Sequence, residues 1–188
     1  MNNKGFTLIE ALVSIAIFIA ISTVLTQIIS VSIQNQIKIV TTQSMFNQAM
    51  FTLDQIEKEL RMAKKDVSGN CVGVAQTNYG GNASKNTINF LTYDQVAKAY
   101  RCKQFLLGGS KIQQKVSTNE TSAALGAVID LTSASFQIER LMFDISNDAV
   151  GDTFQPKVII RTKISNINLA NTEPIELQTT ISQRRLDL

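Results

Sequence analysis

The chain contains no histidine among its 188 residues. This absence excludes Ser-His-Asp triads, histidine general bases and most zinc sites. A Ser-x-x-Lys pair is also missing, and the glycine doublets Gly80-Gly81 and Gly108-Gly109 lack the spacing of a phosphate-binding loop. We therefore predict no catalytic residues and no cofactor, and we expect that the protein is not an enzyme.

Helix-breaking residues are missing from the first third of the chain. No proline precedes Pro156, and no glycine lies between Gly5 and Gly69. Charged residues are absent between Glu10 and Lys38 as well. An apolar segment of this length can cross a hydrocarbon core of about 30 Å. The sequence thus predicts a membrane-spanning helix over residues 6–37.

An excess of basic charge is missing from the remainder. The whole chain carries a net charge of +3, but residues 66–188 hold 12 Lys or Arg against 11 Asp or Glu. Nucleic-acid-binding domains concentrate positive charge on one face. A nearly neutral head gives no indication of such a surface, so nucleic acid is not an expected partner.

The start of the apolar segment contains one carboxylate, Glu10, within the run Lys4-Gly5-Phe6-Thr7-Leu8-Ile9-Glu10. A charged side chain in a membrane-embedded helix costs about 2.5–3.5 kcal/mol on insertion scales. Lys4 belongs to the cytoplasmic flank under the positive-inside rule. Cleavage between Gly5 and Phe6 would instead create an α-amino group at the helix end, which could pair with the Glu10 carboxylate of a neighbouring subunit.

This run resembles the cleavage and methylation motif of type IV prepilins and type II secretion pseudopilins. The resemblance implies that a prepilin peptidase cuts after Gly5 and N-methylates Phe6, and that Glu10 promotes assembly into a helical filament. It also implies partners, namely other pilins or pseudopilins along the N-terminal helix and an inner-membrane assembly platform. The protein would be a single-pass cytoplasmic membrane protein with its head outside, and then part of an extracytoplasmic filament.

Two alternatives to this reading come from the same residues. An ordinary secretory signal also has a charged region followed by an apolar one, and Ala20-Ile21-Ser22 could serve as its cleavage site. The helix could also tether an extracytoplasmic binding protein that has no filament partners. Both alternatives predict an N-terminus other than Phe6.

Beyond the apolar segment, the helical period continues to about Lys65. Apolar residues in a three-four alternation predict one seam that packs on the protein's own head rather than on a coiled-coil partner. The seam comprises Ile39, Thr42, Phe46, Ala49, Leu53, Ile56, Leu60 and Ala63. We expect a leader at residues 1–5, a membrane or filament-core helix at 6–37, its amphipathic continuation at 38–65 and a head at 66–188.

The head shows the two-residue alternation of β-strands. Strands are predicted around residues 88–92, 100–104, 136–145, 157–165 and 173–185, with a bulge near Glu139-Arg140 where the alternation changes parity. Residues 117–133 are ambiguous and only weakly helical from Ala123 to Val128. The expected fold is α+β, with a long N-terminal transmembrane helix packed against a small antiparallel sheet, as in pilins.

Cysteine occurs twice, at Cys71 and Cys102, and both residues lie in the region that the leader would export. An oxidising compartment permits a disulfide, whereas two free thiols in a core remain the alternative. A bridge would close a loop of about 30 residues and contribute about 3–4 kcal/mol on the chain-entropy model.

Two clusters in the head could bind a ligand. Oxygen ligands for calcium are available from Asp144, Asn147, Asp148 and Asp152, although a solvated hairpin tip is the simpler interpretation and no metal is predicted. DNA contact by a competence-pilus subunit could use the aromatic and basic residues Tyr79, Tyr93, Tyr100, Lys98, Arg101 and Lys103. A solvent-exposed strand face explains these charges equally well.

The run from Glu10 to Phe18 resembles the start of J-type pseudopilins and related minor pilins, and the two late strands resemble the C-terminal end of that group. Major pilins usually have a proline in the membrane segment, which this chain lacks. The resemblance therefore implies a minor pilin or a J-type type II secretion pseudopilin.

Overall fold

A computed structural model describes Gly5 and residues 7–151, 154–167 and 173–183. The chain divides into two compact units, residues 1–43 and 44–188. One α-helix, α1 (Leu8–Arg61), contains most of the described residues of the first unit and continues into the second. No described residue inside it is glycine or proline, which explains why nothing interrupts the backbone hydrogen bonds.

Among the described residues of the second unit, eight strands form two antiparallel sheets. The five-stranded sheet has the order β1-β2-β3-β4-β5, and the three-stranded sheet has the order β6-β7-β8. The first comprises β1 (Tyr79–Gly81), β2 (Thr87–Asp94), β3 (Ala99–Gly108), β4 (Lys111–Val116) and β5 (Ile129–Asp130). The second comprises β6 (Phe136–Ser146), β7 (Lys157–Asn166) and β8 (Ile175–Ser182). The predicted α+β fold with a long apolar helix and antiparallel sheets is confirmed.

One hydrophobic core joins both sheets to the C-terminal part of α1. Phe90 and Phe105 from the first sheet and Ile160 and Ile164 from the second are fully buried in the same cluster as Ile56 of the helix. The two Phe rings stack with centroids 5.6 Å apart. Residues from both sheets therefore share one core with the buried residues of α1.

The buried seam of α1 differs in part from its prediction. Ala49, Leu53, Ile56, Leu60 and Ala63 are buried as expected, whereas the predicted Ile39 and Phe46 are exposed. The seam instead begins at Met45 and includes Thr52. Met45 lies four residues before Ala49 and seven before Thr52, so the three share one helical face. The Thr52 hydroxyl donates to the Gln48 carbonyl at 2.9 Å, which satisfies its buried polar atom.

The helix ends at Arg61, four residues before the predicted Lys65. Met62 and Ala63 donate to carbonyls three residues back, at 3.1 Å each, which tightens the final turn. The next residues are already bonded to the sheet region, because the Lys64 amide donates to the Leu91 carbonyl at 2.8 Å. The Lys64 N–H thus bonds to β2 instead of to a carbonyl of α1, so the helix does not continue.

The Asp66 carboxylate organises the segment that follows the helix. Its two oxygens accept the backbone N–H groups of Ser68, Gly69, Cys71 and Val72 at 2.7–3.2 Å, and the Ser68 hydroxyl at 2.9 Å. The residue is buried. Burial raises the pKa of the Asp66 carboxyl, but these hydrogen bonds outweigh burial and hold the pKa below its usual value.

The same segment is fixed covalently by a Cys71–Cys102 disulfide. Cys102 lies in β3, the sequence separation is 31 residues, and both residues are buried. The segment also packs against β1, where a Cβ atom at Gly80 would collide with the Val72 carbonyl oxygen. Only glycine permits this close approach of the Val72 backbone to β1.

Three short elements were absent from the sequence prediction, namely β1, β4 and β5. Each is six residues or fewer, and β4 reads Lys-Ile-Gln-Gln-Lys-Val, with a weak alternation. In the ambiguous region, a 3-10 turn covers only Ser122–Ala124. The predicted bulge in β6 is confirmed, since the register with β7 shifts between Ile138 and Arg140.

Removing the Asp66 carboxylate should destabilise the head. Asp66→Ala leaves the buried N–H groups of Cys71 and Val72 without this acceptor, and we expect a loss of about 3 kcal/mol in unfolding free energy. Denaturant unfolding of the detergent-solubilised full chain, followed by tyrosine fluorescence, measures this. Asp54→Ala, on the exposed side of α1, is the matched control and should change little. Equal stability of the two variants would contradict the assigned role.

The pKa shift also predicts a pH dependence. A carboxyl whose folded pKa is lowered contributes stability above its unfolded pKa of about 3.9, and loses that contribution as the pH falls through the folded pKa. Unfolding free energy should therefore fall below about pH 4 in the unmodified chain. It should fall less in Asp66→Asn. Parallel pH profiles for the two proteins would show that Asp66 does not contribute.

The disulfide should contribute about 3–4 kcal/mol by restricting the unfolded chain. A Cys71→Ser, Cys102→Ser double variant is expected to unfold at correspondingly lower denaturant, with no further response to reductant. The unmodified chain should respond to reductant once it is unfolded. If reductant and the double substitution both leave the midpoint unchanged, the bridge makes no contribution to stability.

Candidate assembly site

The first turn of α1 carries the polar groups of the candidate site. The helix begins at Leu8, and the Thr7 carbonyl accepts the N–H groups of Glu10 and Ala11 at 3.1 and 3.2 Å. Glu10 thus lies in the first turn, where a negative charge interacts favourably with the helix dipole. Phe6 lies outside the described residues, so the structure gives no Phe6 to Glu10 distance.

The Glu10 side chain is exposed and forms no ion pair with any described residue. Its backbone carbonyl accepts the Ser14 hydroxyl at 2.7 Å. The carboxylate therefore has no cationic partner in the described part of its own chain. A cation from another molecule could reach it without displacing any protein contact.

Gly5 is exposed and has open space around it. A Cβ atom built at this position meets no atom within 4 Å. The packing of the described chain does not require glycine here. A requirement for glycine at position 5 would therefore come from another molecule that acts on this segment.

The surface of α1 between Glu10 and Lys38 is apolar and uncovered. Every large hydrophobic side chain from Leu8 to Val40 is more than half exposed, with values from 51% at Val13 to 83% at Leu8. In the core helix of a soluble protein, such residues would be mostly buried. Among the described residues, α1 is the one helix that is long and apolar enough to cross a membrane.

Several hydroxyl groups of this segment form hydrogen bonds within the helix. Thr23 donates to the Ala20 carbonyl and Thr26 to the Ser22 carbonyl, each at 2.8 Å. A bilayer offers no water to such groups, so internal bonding lowers the cost of placing them in hydrocarbon. The segment is therefore chemically suited to lipid or to a helix-packed filament core.

Comparison with known proteins gives one match. The family profile of the prokaryotic N-terminal methylation motif matches residues 1–26. That range contains Gly5, Phe6, Glu10 and the first half of the exposed apolar segment. Residues 1–26 therefore carry the N-terminal motif of type IV pilin-like prepilins. No curated protein and no solved structure matches the chain.

The motif has implications for how the protein is processed and where it assembles. It implies processing by a prepilin peptidase and assembly with other pilins in a membrane. The apolar helix is consistent with a membrane-anchored protein. The motif indicates a structural subunit rather than an enzyme.

The acidic residues near the end of β6 have separate structural roles. Asp144 pairs with Lys85 at 2.6 Å and with Arg161 at 2.5 Å, and these hydrogen bonds and charges lower the pKa of its carboxyl. Asp148 accepts the N–H groups of Asn78 and Tyr79 at 2.7–3.0 Å. Asn147 forms a turn with positive φ, and Asp152 lies outside the described residues. The described part of the chain brings together no group of three or more potential metal-ligating side chains.

Most of the residues considered for DNA contact already form contacts with other residues of this chain. Arg101 pairs with Asp94 at 3.3 Å and Lys103 with Glu59 at 3.0 Å. Tyr79 is buried, and its hydroxyl donates to the Leu60 carbonyl at 2.8 Å near the end of α1. Both cations are thus partly neutralised and one of the three rings is inaccessible.

The other two tyrosines pack against each other. Tyr93 and Tyr100 lie edge to face with centroids 5.3 Å apart, and the Lys64 ammonium lies 5.0 Å from the Tyr100 centroid. Lys98 is exposed at the β2–β3 turn in a left-handed conformation. These residues form a turn that is stabilised by local contacts. They do not form a row of exposed aromatic rings on which bases could stack.

The structural role of Asp66 was not predicted from the sequence. The local signal was present in Asp66-Val67-Ser68, since Asp and Ser side chains commonly bond to backbone N–H groups two or three residues onward. What the sequence could not indicate was the burial of this carboxylate beside the disulfide.

Proposed function

We propose that this chain is a minor pilin or a J-type pseudopilin, incorporated into a type IV pilus or a type II secretion pseudopilus or placed at its tip. The precursor is held in the cytoplasmic membrane with its head outside and is cut after Gly5. The mature chain then packs its segment over residues 6–37 against other subunits. The observation that carries the proposal is an exposed Glu10 carboxylate, without a described partner, at the start of an uncovered apolar helix.

The proposed assembly step follows from the electrostatic cost of that carboxylate. In a membrane, an unpaired Glu10 costs about 2.5–3.5 kcal/mol on insertion scales. Cleavage after Gly5 produces an N-methylated Phe6 ammonium at the start of each helix. When two processed subunits adjoin, the Glu10 of one can pair with the Phe6 ammonium of the other. The low dielectric of the bilayer strengthens this attraction.

Cleavage must precede this contact. Before cleavage, the Phe6 nitrogen is an uncharged amide that follows Gly5. Hydrolysis of that amide bond converts the nitrogen into an amine, which is protonated at neutral pH. Processing thus creates the cation that Glu10 requires, and it makes assembly conditional on the peptidase.

The choice of a minor subunit is supported by the sequence of α1 and by the late strands. The membrane segment lacks the proline that is usual in major pilins. The run from Glu10 to Phe18 and the pair β7–β8 resemble J-type pseudopilins and related minor pilins. Secretion and pilus systems share these features, so the proposal includes both.

Replacing Glu10 with Ala should separate processing from assembly. We expect cleavage and folding of the head to remain intact, because Glu10 is exposed and is not one of the residues that form the core of the head. Incorporation into sheared filaments should fall by about tenfold or more, the equivalent of losing 1.4 kcal/mol or more of pairing energy. Glu57→Ala, which removes a half-buried glutamate of α1 that pairs with Arg61, is the control for loss of a helical glutamate. Normal incorporation of Glu10→Ala would contradict the pairing role.

Replacing Gly5 should act one step earlier. Gly5→Leu meets no steric conflict within the described chain, so the precursor should still fold and enter the membrane. It should accumulate with its leader attached, as seen by mass spectrometry of the membrane fraction. Efficient cleavage of Gly5→Leu would show that the peptidase does not read this position.

A further inference from the structure

The outer edge of β8 differs from every other sheet edge in the described part of the chain. In the five-stranded sheet, β5 has only two residues, while β1 has three and packs against the disulfide segment. Short or covered edges are the usual protection against unwanted strand pairing. The edge strand β8 has eight residues and no described neighbour beyond it.

The opposite edge of the same sheet is covered by loops. The outward N–H of Phe143 in β6 donates to the Lys85 carbonyl at 2.7 Å, and that of Ile138 donates to the Ser110 carbonyl at 2.8 Å. Both bonds connect β6 to turns of the five-stranded sheet. Thus the outward groups of β6 are satisfied at these positions, whereas no described segment pairs with the outer edge of β8.

Register identifies which backbone groups of β8 are open. The Gln183 N–H donates to the Pro156 carbonyl at 3.3 Å, which continues the β7–β8 register by one pair. Hydrogen-bonding residues alternate along an antiparallel strand. The odd-numbered residues of β8 therefore face β7. The backbone N–H and C=O groups of Glu176, Gln178, Thr180 and Ser182 face outward.

The exposed face of this sheet carries a charge pattern that ends at the open edge. Arg161 of β7 lies opposite Gln178 of β8, and its Nε donates to the Gln178 side chain at 2.9 Å, while Asp144 of β6 pairs with Arg161 diagonally. In the next row, Lys163 of β7 lies opposite Glu176 of β8. Lys163 also pairs with Glu139 of β6 at 2.8 Å, so this basic residue lies between acidic residues of β6 and β8. The Glu176 side chain remains 60% exposed although Arg140 contacts it at 3.0 Å. A Lys or Arg in the next strand would continue the pattern.

The other face of β8 is apolar and incompletely covered. Ile175 and Leu177 pack on the core but remain only partly buried. Apolar side chains from an adjacent strand would cover the remainder. An added strand is therefore specified on both faces, with a basic residue near Glu176 and apolar residues beside Ile175 and Leu177.

We propose that the outer edge of β8 is a strand-addition site that accepts an extended segment of a neighbouring filament subunit, with a basic residue on one face and apolar residues on the other. Main-chain hydrogen bonds to Glu176, Gln178, Thr180 and Ser182 would hold the segment. The identity of the donor as a filament neighbour rests on the function proposed above. A donor from a different subunit fits better than a second copy, since the other edges of this head are short or covered.

Amide hydrogen exchange at single-residue resolution tests the site directly. It compares the full chain in detergent with the same chain in purified filaments. We expect the amides of Gln178 and Thr180 to exchange fast in detergent and about 100-fold more slowly in filaments. The amides of Leu177 and Thr179 face β7 and should be protected in both states. Fast exchange of Gln178 and Thr180 in filaments would overturn the proposal.

A proline substitution tests whether the edge is needed for assembly. Thr180→Pro removes one outward N–H without breaking a bond to β7. We expect its incorporation into filaments to fall by roughly tenfold, with processing and membrane insertion unchanged. Thr180→Ala keeps the N–H and is the matched control. Equal incorporation of the two variants would overturn the proposal.

Different experimental results would show that strand addition is wrong and that the proposed function is wrong. If the unmodified chain enters filaments and Glu10→Ala does not, yet the β8 amides stay exposed, only strand addition is wrong. If the unmodified chain is absent from filaments, the filament function is wrong and the donor assigned here is wrong with it. A cross-link from β8 only to another copy of this chain would contradict a donor from a different subunit.

Discussion

A helix that lies in hydrocarbon must satisfy its own backbone, and this requirement shapes the first third of the chain. Water is absent from the bilayer core, so a spanning segment needs an unbroken series of intrahelical hydrogen bonds. The absence of glycine and proline from the interior of α1 provides this continuity. The same helix then supplies the buried seam from Met45 to Leu60 on which both sheets of the head pack. One element thus serves both units, although it meets a different environment in each.

Just beyond the end of that helix, three contacts fix the chain within the head. Beyond Arg61, the chain is held by the Lys64 to Leu91 backbone bond, by the Asp66 carboxylate and by the disulfide from Cys71 to Cys102. All three contacts hold one short segment. Each contact therefore lowers the conformational entropy that is lost when the other two form. Because Asp66 accepts the Cys71 N–H at 2.7 Å, the position of the disulfide and the ionisation of this carboxylate are linked.

Periodicity in the sequence predicted much of the fold because helices and half-buried strands have different repeats. The long strands β2, β3, β6, β7 and β8 were recovered, together with the bulge in β6 at Glu139. The short strands β1, β4 and β5 were missed, since strands of two to six residues give too little alternation to detect. Phe46 was placed on the wrong face because a one-residue change of register on a helix moves a side chain by about 100°. The position of Met45, which replaces it, depends on where the sheets lie.

The candidate site was more predictable than the fold of the head. The segment from Gly5 to Glu10 is local in sequence, and its chemistry needs only one charge, one cleavable bond and an apolar continuation. The open edge of β8 was not predictable in this way. It depends on which strands cover one another and on loops around Lys85 and Ser110 that cap β6. Such information is tertiary, and alternation within one strand does not contain it.

The central claim is that this chain is processed between Gly5 and Phe6 and then assembled. Its most direct test is the intact mass and N-terminal sequence of the protein recovered from its own cells. The account predicts a chain that begins at N-methylated Phe6. A chain that begins at Met1, or after Ser22, would contradict it. The helix would then be a simple anchor or a secretory signal.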